Sequence, residues 1–104
     1  MNNSRLVLQE KLEEILGSNH VYFQPPEDIR LVYPCIIYER SGINAPYADN
    51  DNYYYLFEYD VMYISQNPDT NDFIMRMLKE FRHCRYERHF VSDNLNHETF
   101  VLYY

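Results

Sequence analysis

Four histidines, two neighbouring carboxylates, two cysteines and one short basic run are the residues of this chain with the chemistry to catalyse or to ligate. His20, His83, His89 and His97 match no HxH or HExxH spacing, so no helix or strand face presents a ready metal pair. His89 and His97 can approach each other across a hairpin with Glu98 near. That arrangement would suit acid–base or metal chemistry, although exposed hairpin histidines give the same pattern. Glu58 and Asp60 alternate onto one face of an extended segment, about 7 Å apart, as a pair sharing proton-transfer work would. A solvated strand surface explains them more simply, because water and salt screen like charges. Asp49 and Asp51 lack the spacing of an EF-hand loop. Cys35 lies in an apolar run and Cys84 follows a helical pattern. Neither belongs to a CxxC or zinc spacing, so both read as free thiols. With only Gly17 and Gly42, no glycine-rich phosphate loop can form. The basic stretch Arg82, His83, Arg85, Arg88 and His89 reads either as a contact for acid on a neighbouring subunit or as a solvated helix end and hairpin. The expectation is a chain that is not an enzyme and uses no cofactor or metal.

These residues must be positioned by a small set of elements. Leu8, Leu12, Ile15 and Leu16 recur at helical spacing, predicting a helix over 4–16 with Ser4 as N-cap and Gly17 as the C′ glycine. A short strand is expected over 20–24, stopped by Pro25 and Pro26, which cannot donate to a ladder. Residues 27–32 read as a loop or ragged edge, and 33–40 as a second strand with both faces partly covered. Residues 41–52 form a long polar connection containing Ile43, Ala45 and Tyr47, the type of loop that often carries binding. The third strand, over 53–65, places Tyr53, Tyr55, Phe57, Tyr59, Val61 and Tyr63 on its core side and Glu58 and Asp60 on a wetter side. It is long enough to be a central strand that overhangs the sheet. After the turn at Asn67-Pro68, a helix is expected over 70–81. Asp69 or Thr70 would cap it, and Phe73, Ile74, Met77, Leu78 and Phe81 form its apolar stripe. Two further strands form a hairpin around Asp93-Asn94, with Tyr86, Arg88 and Phe90 alternating against Glu87, His89 and Val91, and the last strand over 98–104. The fold class is α+β: one domain over 1–104, order α-β-β-β-α-β-β, a mainly antiparallel sheet with both helices on one face.

Composition narrows the function. The net charge is −7, which argues against a nucleic-acid platform, since phosphate binding relies on clustered Lys and Arg. Twelve of eighteen aromatic residues are Tyr, a side chain suited to half-buried strands and to contact surfaces. No apolar run approaches the ~20 residues needed to span a bilayer, and no leader pattern precedes the first helix. Synthesis and residence in a reducing cytoplasm are expected.

Several segments in order carry a resemblance: Val21-Tyr22-Phe23-Gln24-Pro25-Pro26-Glu27, Leu31-Val32-Tyr33-Pro34-Cys35-Ile36-Ile37-Tyr38, Ala48-Asp49-Asn50, Asn67-Pro68-Asp69 and Phe90-Val91-Ser92-Asp93-Asn94-Leu95-Asn96-His97. Together they resemble the tail terminator, or tail-completion, proteins of long-tailed phages and prophages. The resemblance implies an α/β subunit that assembles as a ring, usually of six, on the last ring of the major tail tube protein. There it would end tube polymerisation and form the surface that meets the head-tail connector protein, at the head-tail junction of the virion. It would place Ile43, Asn44, Tyr47, Asp49, Asn50, Tyr53 and Tyr54 at a subunit or tube interface. Glu58 and Asp60 would line an acidic lumen, and Arg82, Arg85 and Arg88 would lie between subunits. The alternatives are a head-closure or connector protein of the same gene module, or a small cytosolic adaptor that binds a protein partner.

Overall fold

The structure, a computed structural model, describes residues 5–44 and 56–104. Among them lie helix α1 (Arg5–Leu16), strands β1 (Val21–Phe23), β2 (Cys35–Asn44) and β3 (Leu56–Ser65), helix α2 (Asn71–Glu80), and strands β4 (Cys84–Ser92) and β5 (Leu95–Tyr103). The five strands form one sheet in the order β1-β2-β3-β5-β4. Every pairing is antiparallel except β1 with β2, which run parallel. The expected α+β class, element order and central place of β3 all hold.

The period-2 pattern of the strands decides where the core lies. Ile36 and Tyr38 of β2, Tyr59 and Val61 of β3, and Phe100 and Leu102 of β5 point to one face and are at most 2% exposed. Both helices cover this face: Leu8, Leu12 and Ile15 of α1 and Phe73 and Met77 of α2, with Phe81 just beyond it, complete the same core. Burying one large apolar side chain is worth roughly 1.5–3 kcal/mol, so this face supplies most of the stability. Leu78, expected in the α2 stripe, lies at its margin and is 38% exposed.

Polar side chains then fix the helices in place. The Tyr38 hydroxyl donates to Gln9 Oε1 at 2.5 Å, and Gln9 Nε2 donates to the Val21 carbonyl at 3.0 Å. One glutamine thereby joins α1 to β1 and β2. Arg76 donates to the Ile15 carbonyl at 3.2 Å and ties α2 to the end of α1. Gly17 has φ +85°, and its N–H reaches the Glu13 carbonyl at 2.8 Å, as expected of a residue closing α1 in the left-handed region. Asp93 and Asn94 have φ of 54° and 61°, the two positive values that a tight hairpin turn with matching strand twist requires.

Three expectations are corrected. The second strand starts at Cys35 and continues to Asn44, so residues 41–44 belong to the sheet and not to the long loop. A register shift between Arg40 and Gly42 lets Ser41 bulge out and pairing resume. The side chain of Thr70 does not cap α2; its hydroxyl points instead to Glu98. The alternation read for β4 breaks at a second bulge, between Tyr86 and Arg88. The extra residue reverses the faces, so Tyr86 looks toward the helices while Arg88 shares the opposite face with Arg85.

Candidate interaction surface

Among the described residues, no helix lies on the second side of the sheet. The register fixes which side chains share that open side. Glu39 of β2 lies opposite Asp60 of β3, Asp60 opposite Val101 of β5, and Val101 opposite Arg85 of β4. One pleat along, the row reads Ile37, Met62, Thr99 and Arg88. Glu39, Asp60, Arg85 and Arg88 are exposed, Ile37, Met62 and Thr99 half-buried, and Val101 is buried. Glu58 lies in a further row, opposite Gly42 and Tyr103. A recess of about 250 Å³ opens among Glu39, Asp60, Met62, Glu87 and Thr99. Glu58 and Asp60 therefore stand on the wetter face as expected. The bulge at β4 adds Glu87 to the recess, which strand alternation alone would not place beside them.

The basic candidates divide. Arg85 and Arg88 share the open face, and the Arg88 guanidinium lies 4.8 Å from the Phe90 ring centroid. Arg82 is exposed in the connection between α2 and β4. Ile43 pairs with Phe57 and is 58% exposed, and Asn44 pairs with Leu56 at the end of the β2–β3 ladder. Tyr47, Asp49, Asn50, Tyr53 and Tyr54 lie outside the described residues, as do Ser4 and Asp51.

The histidine pair does not form. His89 lies opposite Glu98, and His97 opposite Phe90, on which its ring stacks at 4.6 Å. Consecutive residues of a strand point to opposite faces, so the two imidazoles are separated by the sheet. Among the described residues no group of three or more His, Cys, Asp or Glu could hold a metal ion. No helix among them is long and apolar enough to cross a membrane.

Sequence reading missed the role of Glu98. It is 3% exposed on the helix-covered face. Its Oε2 accepts from the Thr70 hydroxyl at 2.6 Å, and its Oε1 from the Tyr86 hydroxyl at 2.7 Å. His89 Nε2 stands 4.0 Å from Oε2 and 3.0 Å from Asn96 Oδ1. Burial, reinforced by the adjacent carboxylate, pushes the Tyr86 phenol up to about 12. The signal was available, since Glu98, Phe100 and Leu102 share one parity and two of the three are plainly core. A carboxylate in that series must find donors. This cluster is built for holding the start of α2 onto the β4–β5 hairpin. Cys35 and Cys84 are free, and burial raises both thiols to about 11, so they stay protonated and unreactive.

Comparison with protein-family models, with curated proteins and with solved structures finds no match to this chain.

Proposed function

We propose that this protein is a structural component of virion assembly that caps a phage tail tube as a ring, ends tube polymerisation and offers the surface on which head and tail join. The observation that carries the reading is the open face of the sheet. A domain of this size has few ways to cover its sheet, and here both helices lie on one side. The other side is left with Glu39, Glu58 and Asp60, none in an ion pair among the described residues. In a ring, the β2–β3 half of this face turned inward repels DNA phosphates and lets the genome pass without adhering, while Arg85 and Arg88 on β4 are left for protein contacts. The long β2–β3 hairpin, with Ile43 exposed near its described end, supplies an apolar contact for the tube. The ordered segment resemblance along the chain supports the same reading.

The test is deletion of the gene from the phage or prophage that carries it, followed by negative-stain imaging of the induced lysate. Overlong tails without heads are expected. Normal-length tails beside filled heads would move the protein to the connector position. Intact infectious particles would leave the adaptor reading, which is favoured by the nine-residue strand β4, an edge strand among the described residues and able to accept an added strand. Removal of residues 43–50 is expected to preserve the fold and abolish capping.

A further inference from the structure

The charges of the open face follow the strand order. Acid occupies β2 and β3 (Glu39, Glu58, Asp60), and base predominates on β4 (Arg85 and Arg88, with Glu87 in the bulge between them), with Val101 and Thr99 of β5 separating the two. Strands lie about 4.8 Å apart, so Glu39 and Arg85 are separated by three spacings, or about 14 Å. They form no ion pair within one chain: among the described residues the salt bridges are Lys11–Glu80 and, with His89 protonated, His89–Glu98. Glu39 and Asp60 are instead placed directly opposite each other, an arrangement that costs stability in an isolated sheet.

We infer that the open face is the interface of a two-fold dimer, in which the acidic half of one copy packs on the basic half of the other. The register makes the face self-complementary. Consider a two-fold axis parallel to the strands and placed above the line between β3 and β5. It sets β2 of one copy over β4 of the second and β3 over β5, without sliding either sheet along its strands. Glu39 then faces Arg85 of the second copy, and the second copy's Glu39 faces Arg85 of the first, because a two-fold contact repeats every pair. Asp60 lies over Val101 in the same row, and Met62 over Thr99 in the next. Arg85 and Arg88 of each copy approach the recess of the other, where Glu39, Asp60 and Glu87 present carboxylates above apolar Met62. The half-buried Ile37 and Met62 supply the apolar part of the contact. If the ring reading holds, the free dimer masks the face that the ring exposes to its lumen; the dimer itself is argued without it.

The test is the mass of the purified full chain by multi-angle light scattering across a concentration series. A reversible species of twice 12.8 kDa is expected, weakened when salt is raised to ~0.5 M because screening shortens the reach of charge pairs. Glu39→Arg alone and Arg85→Glu alone each set like charges together at both symmetric contacts and are expected to weaken dimerisation by roughly tenfold or more. Mixed in equal amounts, the two variants restore opposite charges at both contacts and form the heterodimer. Both positions are exposed, and unchanged thermal unfolding of each variant checks that the fold is intact. The inference is overturned if the wild type is monomeric, if it assembles to any mass other than two chains, if either single variant associates like the wild type, or if the mixture does not dimerise. Tail length in the deletion phage is a separate measurement, so either reading can fail without the other.

Discussion

The two faces of the sheet are built from the same strands and hold opposite kinds of residue. On the helix-covered face, Tyr38, Tyr59 and Phe100 pack with neighbouring rings at centroid distances of 5.0–6.5 Å, tilted or edge-on, the geometry aromatic side chains prefer. Directly behind them, Glu39, Asp60 and Thr99 stand on the open face. Cys35, Ile64 and Val101 are buried on that side too, so it is not uniformly polar. The comparison separates two tasks. The covered face holds the fold together, and the open face carries a charge pattern that makes no ion pair among the described residues.

The strongest way to break this contrast is at Phe100. It is fully buried against Phe73 and Tyr86, so Phe100→Ala is expected to lower unfolding free energy by about 3–5 kcal/mol in urea titrations. A smaller effect is expected at the one carboxylate that crosses into the covered face. Tyr86→Phe removes a donor from buried Glu98 and is expected to cost about 1–3 kcal/mol at pH 7. The same variant sharpens the pH dependence. The Tyr86 phenol is raised from 10 to about 12 in the fold, so the neutral form stabilises the protein fully below pH 10. That contribution is lost as pH rises from 10 through about 12. Melting temperatures measured at pH 9 and pH 11.5 should therefore fall less steeply in Tyr86→Phe than in the wild type. The smallest effect is expected on the open face. Asp60→Asn relieves the like-charge pair with Glu39 and should change stability by less than about 0.5 kcal/mol, with the sign favouring the variant. A large loss there would mean that the open face also holds the monomer together.

Much of this was legible before any coordinates. The helix over α2 followed from the spacing of Phe73, Met77 and Phe81, and the inward face of β3 from the alternation of Phe57, Tyr59, Val61 and Tyr63. The hairpin turn followed from Asp93-Asn94. Single-residue events were not legible. The bulges at Ser41 and Glu87 each insert one residue into a ladder, and nothing in local composition marks where the ladder shifts. Because the side-chain period is two, one extra residue moves everything beyond it to the other face. That is why alternation alone puts Arg88 on the side of Tyr86, and why sequence does not assemble the acid and base of the open face. Glu98 shows the complementary limit: its burial was readable from parity, but its partners, Thr70 and Tyr86, come from elements that only the tertiary fold brings together.

The strand order carries a consequence for folding. β5 follows the other four strands in sequence, yet it lies between β3 and β4. Until it inserts, the β2–β3 hairpin has one hydrogen-bonding edge of β3 unfilled, and α2 lacks Phe100 and Leu102 to complete its seat. In that state the chain presents both an unpaired strand edge and the apolar stripe of α2, the two features that recruit chaperones or invite aggregation. Insertion of Leu95–Tyr103 closes both at once.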